Sequence, residues 1–243
     1  MTVEQQDQPW RIAPIADHAV YIDFGERIDP AINERVTALA RRVGKACIPG
    51  VTGLIPTYRA LTVAYDCTQV RQARLCELLE QLLAQPDEEG QPVRHWVIPV
   101  AYGGAQGIDL DWLADHHQMD SASVIALHSA ATYRVYMIGF MPGFAYLGGL
   151  DPRLHTSRRE SPRLCTPAGT VSIGGMQTAV ASVEAPSGWN LIGRTPARGF
   201  MPEREDPFLF RAGDEISFSA ISAEEFEVLY AQPDYLPQWT WRT

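Results

Sequence analysis

Residues 139–177 gather side chains whose types and spacing suit the binding of a small polar ligand. Arg153, Arg158, Arg159 and Arg163 concentrate positive charge in a chain whose formal net charge is −9. A guanidinium presents a planar fork of donors that matches a carboxylate or phosphate, so Arg158, Arg159 and Arg163 could form an oxyanion clamp. The alternative is pairing with Asp151, Glu160 and other acids of the chain. Gly174 and Gly175 would let a backbone approach a ligand closely, or else mark a bulge at a strand end. Gln177, two residues on, could hold a carbonyl or amide through paired hydrogen bonds; its alternative is an exposed strand position. The run GFMPGFAYLGGLDPRL and the stretch SPRLCTPAG mix glycines, which permit close approach, with prolines, which fix φ. That mixture suits a rigid loop packed against something.

Two candidates lie outside this run. His128 stands at the end of a helical stretch, ALHSAATY, just before the strand that feeds the Gly/Pro loop. An imidazole with an ordinary pKa near ~6.5 suits general acid–base work, although a histidine at a helix end also serves as a cap or a satisfied core residue. Arg194, in LIGRTP, leaves a strand beside a proline, a position that aims a guanidinium into a barrel mouth. No G-x-S-x-G elbow, Walker A loop, G-x-G-x-x-G or H-E-x-x-H occurs, which removes the main support for those reaction classes. Cys47, Cys67, Cys76 and Cys165 show neither CxxC nor zinc spacing, so no metal site is expected and the thiols read as core filler, with Cys165, inside the Arg/Pro loop, left open although nothing nearby in sequence marks it as a nucleophile.

The elements that must position these residues fall into two groups. Ala19–Phe24 reads as a strand, and Asp29-Pro30 supplies an N-cap and first-turn proline for a helix with Ile32, Val36, Leu39 and Val43 on its apolar face. Val51–Ile55 and Ala60–Tyr65 predict a hairpin, and Thr68 a cap for a second helix carrying Leu79 and Leu83. This order suggests a small α/β sandwich domain over residues 1–85. QPDEEGQPVR then has linker composition, placed at 86–94. From His95 to about residue 221 a first strand, two short helical stretches (Asp109–His117 and Ser121–Ala130) and a series of short strands suggest a closed β barrel, giving an α+β chain overall. Residues 222–243 add a helix capped by Ser222 with Glu225, then a tail in which Trp239 and Trp241 show no period and are expected to cover an edge of their own domain.

An acidic balance argues against nucleic acid or an anionic membrane as the default partner. The N-terminal MTVEQQDQPWRIAP has neither the basic nor the apolar region of a leader, and no apolar stretch is long enough for a membrane span, so a cytoplasmic location is expected.

The stretches YRVYMIGFMPGFAYLGGLDPRL, SPRLCTPAGTVSIGGMQT and GWNLIGRTP, with DFGERIDPAINERV and IPTYRALTVAYD, together resemble allophanate hydrolase subunit 1, also assigned as the B component of 5-oxoprolinase, a family that includes the bacterial sporulation-kinase inhibitor. The resemblance covers essentially the whole chain. It implies an N-terminal α/β domain followed by a cyclophilin-like β barrel. It further implies one part, inactive alone, of an ATP-dependent 5-oxoprolinase that opens 5-oxo-L-proline to L-glutamate with a homologous C component and an A component. ATP would occupy a site shared with the partner, and the resemblance admits magnesium beside it. By position it puts catalytic weight on His128, Gln177 and Arg159, and substrate-binding weight on Tyr146, Asp151, Arg194, Gly174 and Gly175. Ala179, Ala181, Ser182 and Ser187 depart from the family's usual glycine and Tyr-Pro choices, which leaves the pocket wall open. Two other activities fit the same resemblance: inhibition of a histidine kinase, and carboxyl transfer to urea or a similar amide. The last would need a separate biotin carrier, since no Met-Lys-Met attachment sequence is present.

Overall fold

The computed structural model describes residues 10–86 and 92–242. The chain divides into two compact units, residues 1–91 and 92–243. Most of the expected linker, residues 87–91, lies outside the described residues.

In the first unit, β1 (Arg11–Ile15), β2 (Ala19–Asp23), β3 (Val51–Pro56) and β4 (Ala60–Tyr65) form an antiparallel sheet in the order β1-β2-β4-β3. Helix α1 (Pro30–Ala46) begins where the sequence places it. The Asp29 carboxylate accepts from the N–H groups of Ala31 and Ile32 at 2.8 and 3.4 Å, and Pro30 gives up a donor that had no partner in any case. Val36, Leu39 and Val43 are buried along one side of α1, and Leu75 and Leu79 of α2 (Gln72–Leu83) join the same core. Thr68 does not cap α2. Asp66 instead accepts from the Thr68 N–H and hydroxyl at 2.9 and 2.7 Å, closing an Asx turn, and the helix starts four residues later behind Arg71 with no side-chain cap.

The second unit contains β5 (Val93–Tyr102), α3 (Leu110–His116), α4 (Ser121–Ala130), β6 (Thr132–Ile138), β7 (Ala145–Gly148), β8 (Arg163–Thr166), β9 (Thr170–Gly174), β10 (Gln177–Val180), β11 (Ala185–Ser187), β12 (Asn190–Arg194), β13 (Glu215–Ile221), α5 (Ala223–Tyr230) and β14 (Gln238–Arg242). An eight-stranded sheet runs β12-β9-β10-β7-β6-β13-β5-β14, and β12 pairs again with β5, which closes a barrel and leaves β14 outside it. Strands β8 and β11 form a separate ribbon. Closure removes the free edges that an open sheet would expose. Alternate residues such as Ile98, Val100, Val135, Leu147, Ile173, Ile192 and Ile216 fill the barrel.

Strand β5 organises this unit because its length lets it serve three neighbours. One edge pairs in parallel with β13 over His95–Ala101; the other takes β14 against Val93–Val97 and β12 against Ala101 and Tyr102. The buried Asp214 carboxylate accepts from Arg94 at 2.6 Å, the Trp96 indole at 3.2 Å and the Arg211 N–H at 2.9 Å, fixing the turn into β13 onto the start of β5. Trp239 and Trp241 therefore do not sit in an irregular tail. They belong to a hydrogen-bonded strand, with Trp239 directly opposite Trp96 and the rings 5.8 Å apart. All of β14 is exposed, so no inside–outside alternation marked it as a strand. Among the described residues no helix is long and apolar enough to cross a membrane.

Candidate functional site

Strand alternation sorts the candidate residues onto opposite faces of one sheet. In β10, Thr178 and Val180 point into the barrel, so Gln177 and Ala179 point out. In β7, Ala145 and Leu147 are in the barrel core, so Tyr146, which lies opposite Ala179, is outside. The outward face carries an aromatic layer: Phe144 and Tyr146 lie 4.8 Å apart, and Trp189 meets them edge-on at 6.5 and 6.0 Å. Arg158 places its guanidinium 5.4 Å from the Trp189 ring centre. Burial raises the Tyr146 phenol above its ordinary pKa while Arg158 opposes the rise, so the phenol stays protonated at neutral pH. Tyr146, Gln177 and Arg158 thus share a surface floored by aromatic rings, where a planar amide could be held by a guanidinium and a carboxamide.

Gly174 and Gly175 shape this surface without offering it a backbone group. Gln177 pairs with Gly174, so Gly175 and Met176 form a two-residue hairpin turn, and Gly175 takes the positive φ of 67° that its first position demands. Both backbone groups of Gly175 are bonded to Thr156, at 2.7 and 3.1 Å. A Cβ on Gly174 would lie 2.4 Å from the Trp189 ring, so the glycine exists to admit the indole. Their reading as a close-approach site for a ligand is corrected accordingly.

His128 lies on the other side of the sheet. It is fully buried in α4, with Nδ1 2.8 Å from the Tyr102 hydroxyl and Nε2 3.0 Å from the Thr178 hydroxyl, which itself donates to the Ser172 carbonyl at 2.9 Å. The ring also stacks on Phe218 at 4.7 Å. Burial pushes its pKa down to about 3, so the imidazole is neutral at physiological pH. With both nitrogens engaged inside the core, it has no open path to a ligand on the outer face. The general acid–base reading of His128 gives way to a structural one: it ties α4 to β5 and β10.

Arg159 and Arg163 likewise find a buried partner, one that no motif singles out. The Asp109 carboxylate accepts from Arg163 at 2.6 and 2.9 Å, from Arg159 at 3.3 Å and from the Leu191 N–H at 2.7 Å. Asp109 precedes α3, yet its side chain does not cap that helix. It anchors the arginine loop to β12, so Arg158, and not Arg159, is the arginine left for a ligand. Asp151 is a cap, accepting from the Arg153 N–H at 2.9 Å and pairing with the Arg153 guanidinium at 2.7 Å, which together hold its pKa down at about 2. Arg194 does not enter a barrel mouth. Its Nε donates to the Ala168 carbonyl at 2.8 Å, and its guanidinium lies over Phe226 and Tyr230 of α5 at 5.3 and 4.8 Å.

Comparison with known proteins agrees with this architecture. The sequence profile of the carboxyltransferase domain, subdomain C and D, matches residues 10–210. The chain belongs to this family. The B subunit of Haemophilus influenzae 5-oxoprolinase is 46% identical over 207 residues, which cover 85% of this chain and 96% of that protein. Its Bacillus subtilis counterpart, of the same name, is 38% identical over 228 residues, covering 89% and 95%. The crystal structure of the K. lactis urea amidolyase has the same fold, with a TM-score of 0.80 at 21% identity, and this chain matches 17% of its length. That likeness shows the fold alone.

Proposed function

We propose that the chain is the B component of an ATP-dependent 5-oxoprolinase, which opens 5-oxo-L-proline to L-glutamate together with a homologous C component and an A component. The observation that carries this reading is the 46% identity to a 5-oxoprolinase B component across 96% of that protein. The outward face of β7, β10 and β9 would serve as half of a site. Arg158 and Gln177 would orient and polarise the lactam, and the aromatic layer would exclude water once the partner covers it. The lactam is stable near neutral pH, so coupling to ATP supplies a driving force that hydrolysis lacks. Among the described residues no group of three or more His, Cys, Asp or Glu side chains could hold a metal ion. In this reading ATP acts at a site shared between this chain and a partner component.

The test is reconstitution. The purified chain alone should release no glutamate from 5-oxoproline and ATP, and the mixture with its cognate A and C components should do so. Robust turnover by the chain alone would overturn the half-site reading. The family description favours a second reading, carboxyl transfer to an amide. It predicts instead that the chain works only with a biotinylated carrier and that avidin stops it.

A further inference from the structure

The geometry points to a second ligand site, for a small carboxylate, beside the Gly/Pro loop. A cavity of about 130 Å³ is lined by Ala168, Ser182, Thr195, Arg198, Phe200 and Tyr230, among others. The Gly/Pro loop forms its approach: the Ser182 hydroxyl donates to the Pro142 carbonyl, and Gly143 packs so closely on Gly199 and Phe200 that a Cβ there would lie 2.7 Å from the Gly199 oxygen.

Arg198 lines this cavity, Arg194 and Arg204 contact its lining residues Tyr230 and Arg198, and none of the three has a carboxylate within ion-pair distance among the described residues. Arg194 and Arg198 lie 4.8 and 5.9 Å from the centre of the Tyr230 ring, and Arg204 donates to the Arg198 carbonyl at 3.1 Å. Burial and the neighbouring Arg198 both lower the Arg204 pKa, while Asp234 works against them. Capping of α5 accounts for one of these contacts, since Arg198 reaches the Tyr230 carbonyl at 3.4 Å, while Arg204 reaches the Tyr235 carbonyl, beyond the helix, at 3.5 Å. A helix C-terminus supplies about half a negative charge. Together with Asp234 that leaves the three arginines only about half compensated, in a chain that is acidic overall.

The three differ in how far they are already committed. Arg194 is held by the Ala168 carbonyl and the Tyr230 hydroxyl, and Arg204 by two carbonyls. Arg198 makes one long bond, so most of its five donors remain available. Thr195 lines the same cavity. Thr195 is 1% exposed; its oxygen accepts from the Ala197 N–H at 3.1 Å, and its proton has no acceptor among the described residues. A buried hydroxyl proton without an acceptor, beside an uncommitted guanidinium, is a site built for an oxyanion. The small volume and the apolar contribution of Ala168, Phe200 and the Tyr230 ring select a compact carboxylate with a short carbon body over phosphate, which has no apolar surface to set against them.

Amide-resolved NMR titration of the full chain tests this with propionate, neutral propionamide and inorganic phosphate. Propionate should give saturable shifts at Thr195, Ala197 and Arg198, with propionamide and phosphate much weaker. Arg198→Gln should weaken propionate at least about tenfold. Thr195→Val should weaken it a few-fold, and Thr195→Ser should restore it. Thermal melts of each variant confirm that the barrel is intact. Equal binding of propionate and propionamide, unchanged affinity in Arg198→Gln, or no saturable shift would overturn the site and leave the arginines as ties between α5, the segment after it and the loops beside it. Tighter binding of phosphate would overturn the carboxylate assignment. None of these outcomes depends on the oxoprolinase reading, because the isolated chain is titrated and no turnover is measured.

Discussion

Acid should destabilise the barrel through His128. In the folded chain burial holds its pKa at about 3, whereas an unfolded chain leaves an imidazole near the ordinary ~6.5. Above ~6.5 neither state is protonated and the neutral ring contributes its full stability. As pH falls below that value the unfolded chain binds a proton that the folded chain refuses, and stability is lost until the folded pKa is reached. One pH unit is worth about 1.4 kcal/mol, so moving from pH 7 to pH 5 should cost about 2 kcal/mol from this residue alone. Urea unfolding followed by tryptophan fluorescence suits the measurement, since all the tryptophans except Trp10 lie in the second unit. Wild type and His128→Gln should be compared at both pH values. The variant will be less stable throughout, because it disturbs bonds to Tyr102 and Thr178, but its loss between pH 7 and pH 5 should be smaller by about 2 kcal/mol. Subtracting the two slopes cancels the other carboxylates and histidines. Identical slopes would refute the reasoning and mean that His128 reaches solvent or titrates normally in the folded state.

Arg163→Ala should cost about 3 kcal/mol, because it strips the bidentate partner from the buried Asp109, whereas Arg159→Ala should cost about 1 kcal/mol or less, its 3.3 Å bond being longer and its side chain a third exposed; chemical denaturation of both variants checks the order. Gly174→Ala should lose about 1–3 kcal/mol by pushing the Trp189 ring, with a change in near-ultraviolet circular dichroism, while Gly175→Ala should lose about 1–2 kcal/mol from backbone strain and leave that signal unchanged. Arg158→Ala should keep the melting temperature within a degree or two, yet lower turnover of the reconstituted complex roughly tenfold or more, the loss of one charge-assisted bond. A melting temperature that falls as far as in Arg163→Ala would make Arg158 structural.

Much of the fold was legible because its signals are local. Asp29 and Pro30 announce α1 by chemistry confined to its first turn, and Ser222 bonds the Glu225 N–H at 3.1 Å as its spacing foretold. Strands β3 and β4 follow from alternation around a short turn. What stayed hidden was set by distant contacts. β1 is only partly buried and β14 not at all, so neither carries a period, and β14 exists because β5 has an edge to spare. The candidate site was read less well for the same reason. Asp109 looks like a helix cap, and nothing near it in sequence shows that its carboxylate waits for Arg163, 54 residues later. The resemblance groups His128, Gln177 and Arg159 as catalytic, but the pleat and the fold send them to the barrel interior, its outer face and a buried ion pair. Trp189 left one trace: Gly174, whose missing side chain marks where a ring had to fit.

The central claim is that this chain completes a 5-oxoprolinase. An omission assay tests it most directly: glutamate formed from 5-oxoproline and ATP by the cognate A and C components, with and without this chain, at matched protein concentration. Glutamate should appear with consumption of ATP in the complete mixture and fall to background when only this chain is left out. Undiminished glutamate without it, or a complete mixture that releases none while carboxylating urea from a biotinylated carrier, would contradict the account.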